Sequence, residues 1–238
     1  MTRSRPLCVA VVLAVSAALA APAAAAAQSA EPDTIAVTGR EVRMVANDTA
    51  SVTFYVAKER RSGEAALRAT SRRLRAVIKQ VRAAGDIRGR DIETGRISVF
   101  RVRLRNDEGR VVKRFFRARQ SATATVRRVK RTGRVVAAGL RAGATDVSGP
   151  RYFVSDSEAV YEDALLDAFD AAERKAQALA EHSGRQLGRV MQITEGGGVY
   201  SVSRSSLEFA SADVAASAPV RPGRSRVRAR VGVVFELQ

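Results

Sequence analysis

The last part of the chain shows the clearest alternation of hydrophobic and polar positions. From Val227 to Leu237 every odd-numbered position is apolar, and arginines occupy the even-numbered positions Arg226, Arg228 and Arg230. Strict alternation is typical of a β-strand with one buried and one wet face, which occurs mostly in antiparallel sheets. We therefore predict an antiparallel neighbourhood at this end of the chain, with helices covering the apolar face.

A long helix followed by a strand is predicted between Ser155 and Glu195. Ser155 and Glu158 have the spacing of a capping box, which satisfies backbone N–H groups of the first turn. Gly184 supplies the left-handed residue that ends the helix. Apolar residues at four- and three-residue spacing predict one buried face. These residues are Tyr161, Leu165, Phe169, Ala172, Ala176 and Leu179.

The preceding residues predict two more helices, each flanked by strands. Strands at 33–40 and 49–57 are expected to form an opening hairpin, and a basic amphipathic helix ends at Gly85. A second hairpin turns at residues 106–109, where Asn, Asp and Gly suit turn geometry, and a short helix spans 132–141. In each strand–helix–strand unit the flanking strands should be parallel, or separated by one inserted strand. We expect an α+β fold in one domain: a mixed, largely antiparallel sheet with three helices packed on one face.

Two segments lie outside this pattern. Residues 1–27 combine Arg3 and Arg5 with a short apolar run and small residues at cleavage-site spacing, which is typical of a cleaved secretory signal. Residues 28–238 would then form the mature domain, and its Ser/Ala-rich stretch at about 197–222 is expected to be a mobile loop. We expect an exported protein, located in the periplasm or extracellularly at the cell envelope.

The composition excludes most kinds of catalytic site. Cys8 lies in the signal and His182 is the only histidine, so the mature chain has no thiol nucleophile, Cys-ligated metal or His-rich zinc site. No G-x-S-x-G motif is present, and the glycines at 196–198 do not open a phosphate-binding helix. His182 is expected in a last helical turn, where unpaired carbonyls favour a cation. We expect no catalytic residues, cofactor or metal, and a protein that is not an enzyme.

Positive charge follows the predicted strands. The formal net charge is +17, and most of the positive charge is arginine. Arginines alternate along three strands, so neighbouring strands would gather them on one sheet face. The candidate polyanion-binding residues are Arg101, Arg103, Arg105, Arg117, Arg119, Arg226, Arg228 and Arg230.

Such a face has two interpretations. It would bind an anionic envelope polymer or lipid head groups, with an affinity that falls as salt rises. Alternatively, it is a plain solvated sheet face in a protein where arginine simply replaces lysine. Aromatic residues make up only 5% of the chain and none is spaced as a base-stacking platform, which argues against sequence-specific nucleic-acid recognition.

Carboxylates form a row on the long helix. Asp163, Asp167 and Asp170 fall at i, i+4 and i+7, beside the predicted apolar face. They could hold a divalent cation or meet a basic partner, including arginines of a neighbouring copy; a solvated helix face is the alternative. We take these residues as the candidate self-association site and expect a homo-oligomer.

Four segments, taken in order and with their spacing, resemble the SIMPL domain family, also called DUF541. They are IAVTGRE (35–41), GATDVSGPRYFVSD (143–156), AERKAQALAEHSGRQLGRVMQITEG (172–196) and RPGRSRVRARVGVVFEL (221–237). The resemblance implies an exported α/β protein without established catalysis, linked to envelope or oxidative stress, some members of which assemble into large rings. Arg128 and Lys130 stand where the family carries acidic residues, so this member has moved toward positive charge.

Overall fold

The computed structural model describes residues 33–196 and 221–238, and these form seven strands and three α-helices in two antiparallel sheets. The predicted signal at 1–27 and nearly all of the loop predicted at 197–222 lie outside the described residues. The elements are β1 (Thr34–Ala46), β2 (Thr49–Arg60), α1 (Gly63–Gly85), β3 (Ile92–Arg105), β4 (Val111–Val126), α2 (Thr132–Arg141), β5 (Asp146–Phe153), α3 (Ser157–His182), β6 (Leu187–Glu195) and β7 (Arg224–Leu237).

The larger sheet has the strand order β3-β4-β2-β5, and α1 and α2 cover one of its faces. Because β4 is antiparallel to both β2 and β3, the strands on either side of α1 are parallel with one strand inserted. The same holds for β4 and β5 around α2, with β2 inserted. The expectation for the first two strand–helix–strand units is therefore confirmed, and together they make a βαββαβ arrangement.

The smaller sheet has the order β1-β7-β6, and α3 covers one of its faces. β7 is its central strand. Its odd-numbered residues from Ser225 to Phe235 are buried under α3, and its arginines are exposed on the opposite face. The alternation seen in the sequence is confirmed, together with the prediction that a helix covers the apolar side.

The α+β class and the antiparallel pairing are confirmed, but the strands divide between two sheets where a single sheet is expected. α1 and α2 pack on the larger sheet and α3 on the smaller, so β5 and β6 on either side of α3 lie in different sheets. The opening hairpin is wrong as well. β1 pairs with β7 along its whole length, whereas β2 lies between β4 and β5.

The residues between β1 and β2 explain why these strands separate. Asn47 bonds to the two residues just before β7: its backbone N–H donates to Gly223 O (3.2 Å) and its Nδ2 donates to Pro222 O (2.7 Å). The Ser225 hydroxyl donates to Asn47 Oδ1 (2.5 Å). The next residue, Asp48, bonds to the segment that leads from the larger sheet to α3. The chain therefore passes from the smaller sheet to the larger one at the Asn47–Asp48 peptide bond.

Asp48 is held by the segment that leads from the larger sheet to α3. Its carboxylate accepts from the Ser155 backbone N–H (2.8 Å) and hydroxyl (2.7 Å), and its own N–H donates to Phe153 O (3.2 Å). Burial opposes ionisation of Asp48, but the hydrogen bonds from Ser155 and from Thr49 outweigh it and lower the pKa. Because Ser155 is engaged here, the helix cap is the neighbouring Asp156, whose Oδ1 accepts from Ala159 N (3.1 Å).

α3 packs on the smaller sheet through alanines. Tyr161, Ala172 and Ala176 are buried as predicted, but Leu165 and Phe169 are only half-buried and Leu179 is 53% exposed. The fully buried residues recur every four positions: Ala164, Ala168, Ala172, Ala176 and Ala180. Small residues face the sheet because α3 lies against β1 at Gly39, where an added Cβ would lie 1.7 Å from Ala168 O. The larger apolar residues are therefore displaced to the flanks of the helix.

Candidate functional site

The outer part of the β3–β4 hairpin, residues 99–117, forms an arm that extends past the larger sheet. β2 pairs with β4 only from Phe116 onward, so nearer the turn β3 and β4 pair only with each other. The turn lies at the predicted residues: Gly109 N donates to Asn106 O (2.9 Å), and Arg110 N donates to Asn106 Oδ1 (2.8 Å). Two of the arm's large apolar side chains, Phe100 and Leu104, are exposed.

The arginines of the arm do not share one face. Phe100 is opposite Arg117, and Arg101 is opposite Phe116, so Arg101 and Arg117 point to different sides of the sheet. The Arg101 guanidinium lies 5.1 Å from the centre of the Phe116 ring. Arg117 lies on the side opposite to Arg101, where its Nε donates to Glu59 Oε1 (2.9 Å).

The remaining arm arginines follow the same register. Arg103 lies opposite Arg114 on the side of Arg101, whereas Arg119 lies opposite Ser98 on the side of Arg117. Arg105 is at a register shift, and its Nη1 donates to Gly109 O (2.6 Å) in the turn. Together with the arginines of β7, which belong to the other sheet, the predicted rows occupy three surfaces. The expectation of one common sheet face is wrong because strand pairing offsets the rows by one residue.

The β7 row, defined as Arg224, Arg226, Arg228 and Arg230, lies on the face of the smaller sheet away from α3. Arg40 of β1 stands directly opposite Arg230, which makes a like-charge cross-strand pair. No carboxylate of the described residues forms an ion pair with a member of the row. Arginines at four successive same-face positions form the longest unneutralised row of cations that the described strands present.

The carboxylate row meets an arginine within the same chain. Arg43 Nη1 donates to Asp163 Oδ2 (3.0 Å), and Arg43 Nε donates to Asp167 Oδ2 (3.0 Å). These contacts, chiefly the hydrogen bond to Asp167, raise the pKa of Arg43. Asp170 is exposed and forms no ion pair with a described residue. The acidic row thus helps to fix α3 on β1, and its part in self-association stays a prediction.

At the first turns of α3, Tyr161 bonds to the last residue of β6. The Tyr161 hydroxyl donates to Glu195 Oε1 at 2.6 Å. The hydrogen bond to Glu195, followed by burial, raises the pKa of Tyr161 to about 12. The pair therefore ties α3 to the edge strand of the smaller sheet while the phenol keeps its proton.

We expect the Tyr161–Glu195 bond to make stability fall in alkali. The unfolded phenol loses its proton near pH 10, but the folded one keeps it to about pH 12, so the contribution is full below about pH 10 and is lost as pH rises through about 12. Between about pH 9 and about pH 11, wild type should lose more free energy of unfolding in urea than Tyr161→Phe. Glu195→Gln should reduce the difference, and equal losses in wild type and Tyr161→Phe would contradict the assignment.

The described residues form a surface cavity and no cluster of metal-ligating side chains. Among them, no three His, Cys, Asp or Glu side chains lie where they could hold a metal ion. A surface cavity of about 620 Å³ between α1 and α2 is lined by alanines with Arg73, Gln80 and Arg141. His182 is the last residue of α3, as predicted. Within 33–196 and 221–238, no helix has the length and apolar character needed to cross a membrane.

One family model matches most of the chain. The model of the SIMPL family, described as a protein of unknown function (DUF541), matches residues 35–235. The chain belongs to the SIMPL family. In this SIMPL protein the match runs from the first residues of β1 to the end of β7, so it takes in both sheets. The resemblance found in the sequence is confirmed.

This SIMPL chain also matches two curated relatives. Both are named 26 kDa periplasmic immunogenic protein, one from Brucella melitensis biotype 1 and one from Brucella abortus strain S19. Each is 27% identical over 223 residues, which covers 87% of this chain and 86% of the relative.

Several residues of the interaction surfaces are absent from the sequence-based candidates. Arg224 and Arg40 extend the cationic face of the smaller sheet, and Arg43 holds the acidic row. Arg224 could have been found, since it continues the even-numbered arginines of β7. Arg40 and Arg43 could not, because their roles depend on the pairing of β1 with β7 and on the placement of α3.

Proposed function

We propose that this SIMPL-family chain is a non-enzymatic periplasmic protein that self-associates, and that its assembly contributes to envelope or oxidative stress tolerance. The periplasmic location is supported by the names of the two Brucella relatives and by the signal-like pattern of residues 1–27. One observation carries self-association: the same chain exposes a basic arm and an acidic helix on two different sheets. The basic arm of one copy therefore has the charge needed to bind the acidic helix of a second copy.

The acidic surface is α3. Its 26 residues contain seven carboxylates and only Arg174 and Lys175 as full cations, in a chain whose net charge is +17. Leu166 is 68% exposed and lies one helical turn from Glu162 and from Asp170, two exposed carboxylates that form no ion pair with a described residue. An exposed leucine surrounded by carboxylates has the character of an interface centre with a polar rim.

The complementary surface is the arm. On one of its sides Arg101 and Arg103 stand next to Arg114, a like-charge grouping that is unfavourable unless an anionic partner neutralises it. Val99, on the same side of the arm as Arg101, is 41% exposed and supplies the apolar area that Leu166 would contact in the next copy. The arm and α3 are different surfaces, so the contact is head-to-tail, and it produces a ring if the rotation closes and a filament if it does not.

Charge reversal tests the contact. We expect the wild-type exported protein to be oligomeric by size exclusion with light scattering. Arg101→Glu with Arg103→Glu, or Glu162→Arg with Asp170→Arg, should raise the dissociation constant by about tenfold or more through like-charge repulsion. Combining all four changes should restore assembly, because the attraction is rebuilt with the signs exchanged. A merely destabilising effect would not be rescued in this way.

The matched control places the same charge change elsewhere. Arg72 and Arg75 are exposed on α1 and form no ion pair with a described residue, so Arg72→Glu with Arg75→Glu should leave the oligomer intact. A monomeric wild type at its highest soluble concentration would refute self-association. Equal loss in the arm variant and the α1 variant, which change the net charge by the same amount, would instead show that net charge, not the arm–helix contact, governs assembly.

The proposed role in stress tolerance is tested in cells. A strain lacking the gene should survive peroxide less well, and the wild-type chain should restore survival. The arm variant Arg101→Glu with Arg103→Glu should fail to restore it at equal periplasmic level, whereas the fourfold charge-swapped variant should succeed. Equal rescue by the arm variant would separate stress tolerance from assembly and overturn that link.

A further inference from the structure

We propose that the outer face of the smaller sheet binds the surface of an anionic phospholipid bilayer, an interaction that goes beyond self-association. The face is built on the β7 row, whose same-face side chains follow one another at about 6.8 Å along the strand. Arg40 adds a fifth guanidinium opposite Arg230. The face thus presents an ordered array of cations to whatever lies outside it.

Other arginines of the chain differ from this array because they form ion pairs within the fold. Arg43, Arg117 and Arg127 each bond to a carboxylate of the chain. Arg226, Arg228 and Arg230 form no such pair with a described residue, and the Arg40–Arg230 pair is repulsive. Arg224 donates to Met44 O within the chain, but Arg226, Arg228 and Arg230 contribute no ion pair to the described fold, so phosphate groups of an external partner account for these three better than internal packing.

Apolar side chains beside the row identify the partner as a membrane surface. Val42 lies opposite Arg228 and is 50% exposed, and Met44 lies opposite Arg226 and is 42% exposed. A dissolved polyanion offers these side chains nothing to contact. A bilayer takes up exposed apolar groups and the aliphatic stems of arginine at the head-group boundary, while the guanidiniums reach the phosphates.

A groove at one end of the row fits a head group. Its volume is about 460 Å³, and its lining includes Arg224, Arg226, Arg228 and Met44 beside the Pro222–Gly223 turn. A phosphodiester entering it meets up to three guanidiniums, whose planar donors suit phosphate oxygens. The contact is peripheral: the flat face lies on the bilayer, and one head group occupies the groove.

Vesicle flotation of the exported protein tests the proposal. Binding to vesicles of phosphatidylglycerol and phosphatidylcholine should be strong at low salt and weak with phosphatidylcholine alone. Arg226→Gln, Arg228→Gln and Arg230→Gln together should weaken binding roughly 100-fold, since each basic residue near an anionic surface contributes about fivefold. The matched control, Arg72→Gln, Arg75→Gln and Arg134→Gln, removes the same charge from exposed positions of α1 and α2 and should change binding by less than about threefold.

A second pair of measurements separates lipid from other polyanions. Val42→Ser with Met44→Ser should weaken vesicle binding while leaving retention on heparin unchanged. Heparin binding without vesicle binding, or equal losses in the two arginine triples, would overturn the proposal. Light scattering on the β7 triple variant should show an unchanged oligomer, so that loss of lipid binding is distinguished from loss of assembly.

Discussion

Replacing Gly39 with alanine is expected to lower the free energy of unfolding by about 3 kcal/mol. A Cβ at this position would lie 1.7 Å from Ala168 O and 2.9 Å from Ala172 N, both backbone atoms of α3. The helix cannot yield by rotating a side chain, so it must move away from β1. That movement would loosen the alanine contacts along the smaller sheet. The expected loss is a large part of the stability of a typical domain.

Gly232 provides the matched control on the other face of the same sheet. It is opposite Thr38 of β1, and a Cβ there would approach no closer than 3.8 Å to Thr194 O. Gly232→Ala should therefore leave stability unchanged or raise it slightly, because alanine has less backbone freedom to lose on folding. Urea denaturation of both variants measures the difference. Similar midpoints for Gly39→Ala and Gly232→Ala would show that α3 does not approach β1 as closely as described.

Asn47→Ala is expected to lower the free energy of unfolding by about 2–4 kcal/mol. Asn47 is 5% exposed, and the change removes its bonds to the Ser225 hydroxyl and the Pro222 carbonyl. Ser225 is fully buried, so its hydroxyl would be left without this partner in a site that water does not reach. The effect should appear as a lower midpoint in urea denaturation, with β7 losing its attachment to the β1–β2 connection.

Two comparisons make this expectation specific. Asn106→Ala makes the same change at the exposed hairpin turn, where only the bond to Arg110 N is lost, and should cost less than about 1 kcal/mol. Ser225→Ala combined with Asn47→Ala should destabilise by less than the sum of the single changes, because the double variant no longer leaves the Ser225 hydroxyl buried without its partner. Additive effects would mean that the two side chains act independently.

Local patterns allowed many elements to be predicted. The alternation along β7, the end of α3 before Gly184 and the turn at Asn106–Gly109 each depend on neighbouring residues, and all three are confirmed. The N-terminus of α3 was displaced by one residue because Ser155, which could cap the helix, bonds to the distant Asp48. The spacing of residues along the chain identifies a side chain that could cap the helix. It does not reveal a distant residue, such as Asp48, that binds the same side chain instead.

The division into two sheets could not be predicted in this way. β1 and β2 are separated by two residues, which favours a hairpin by proximity, yet Asn47 bonds to residues near the end of the chain. The arginine rows show the same limit: alternation identifies which residues of a strand share a face, but register decides which neighbours join them. One residue of offset between Arg101 and Arg117 places them on opposite sides.

The pairing of β1 with β7 also sets an order of folding during export. The larger sheet uses the contiguous stretch from β2 to β5, so all its strands are present once Phe153 has emerged. The smaller sheet joins strands from the two ends of the described chain, and its central strand is the last 14-residue element. Because domains form as their segments become available and distant pairing is slow, β1 and α3 must wait for β7. A chain that arrives without its last residues would carry one finished sheet and two unpaired strands, β1 and β6.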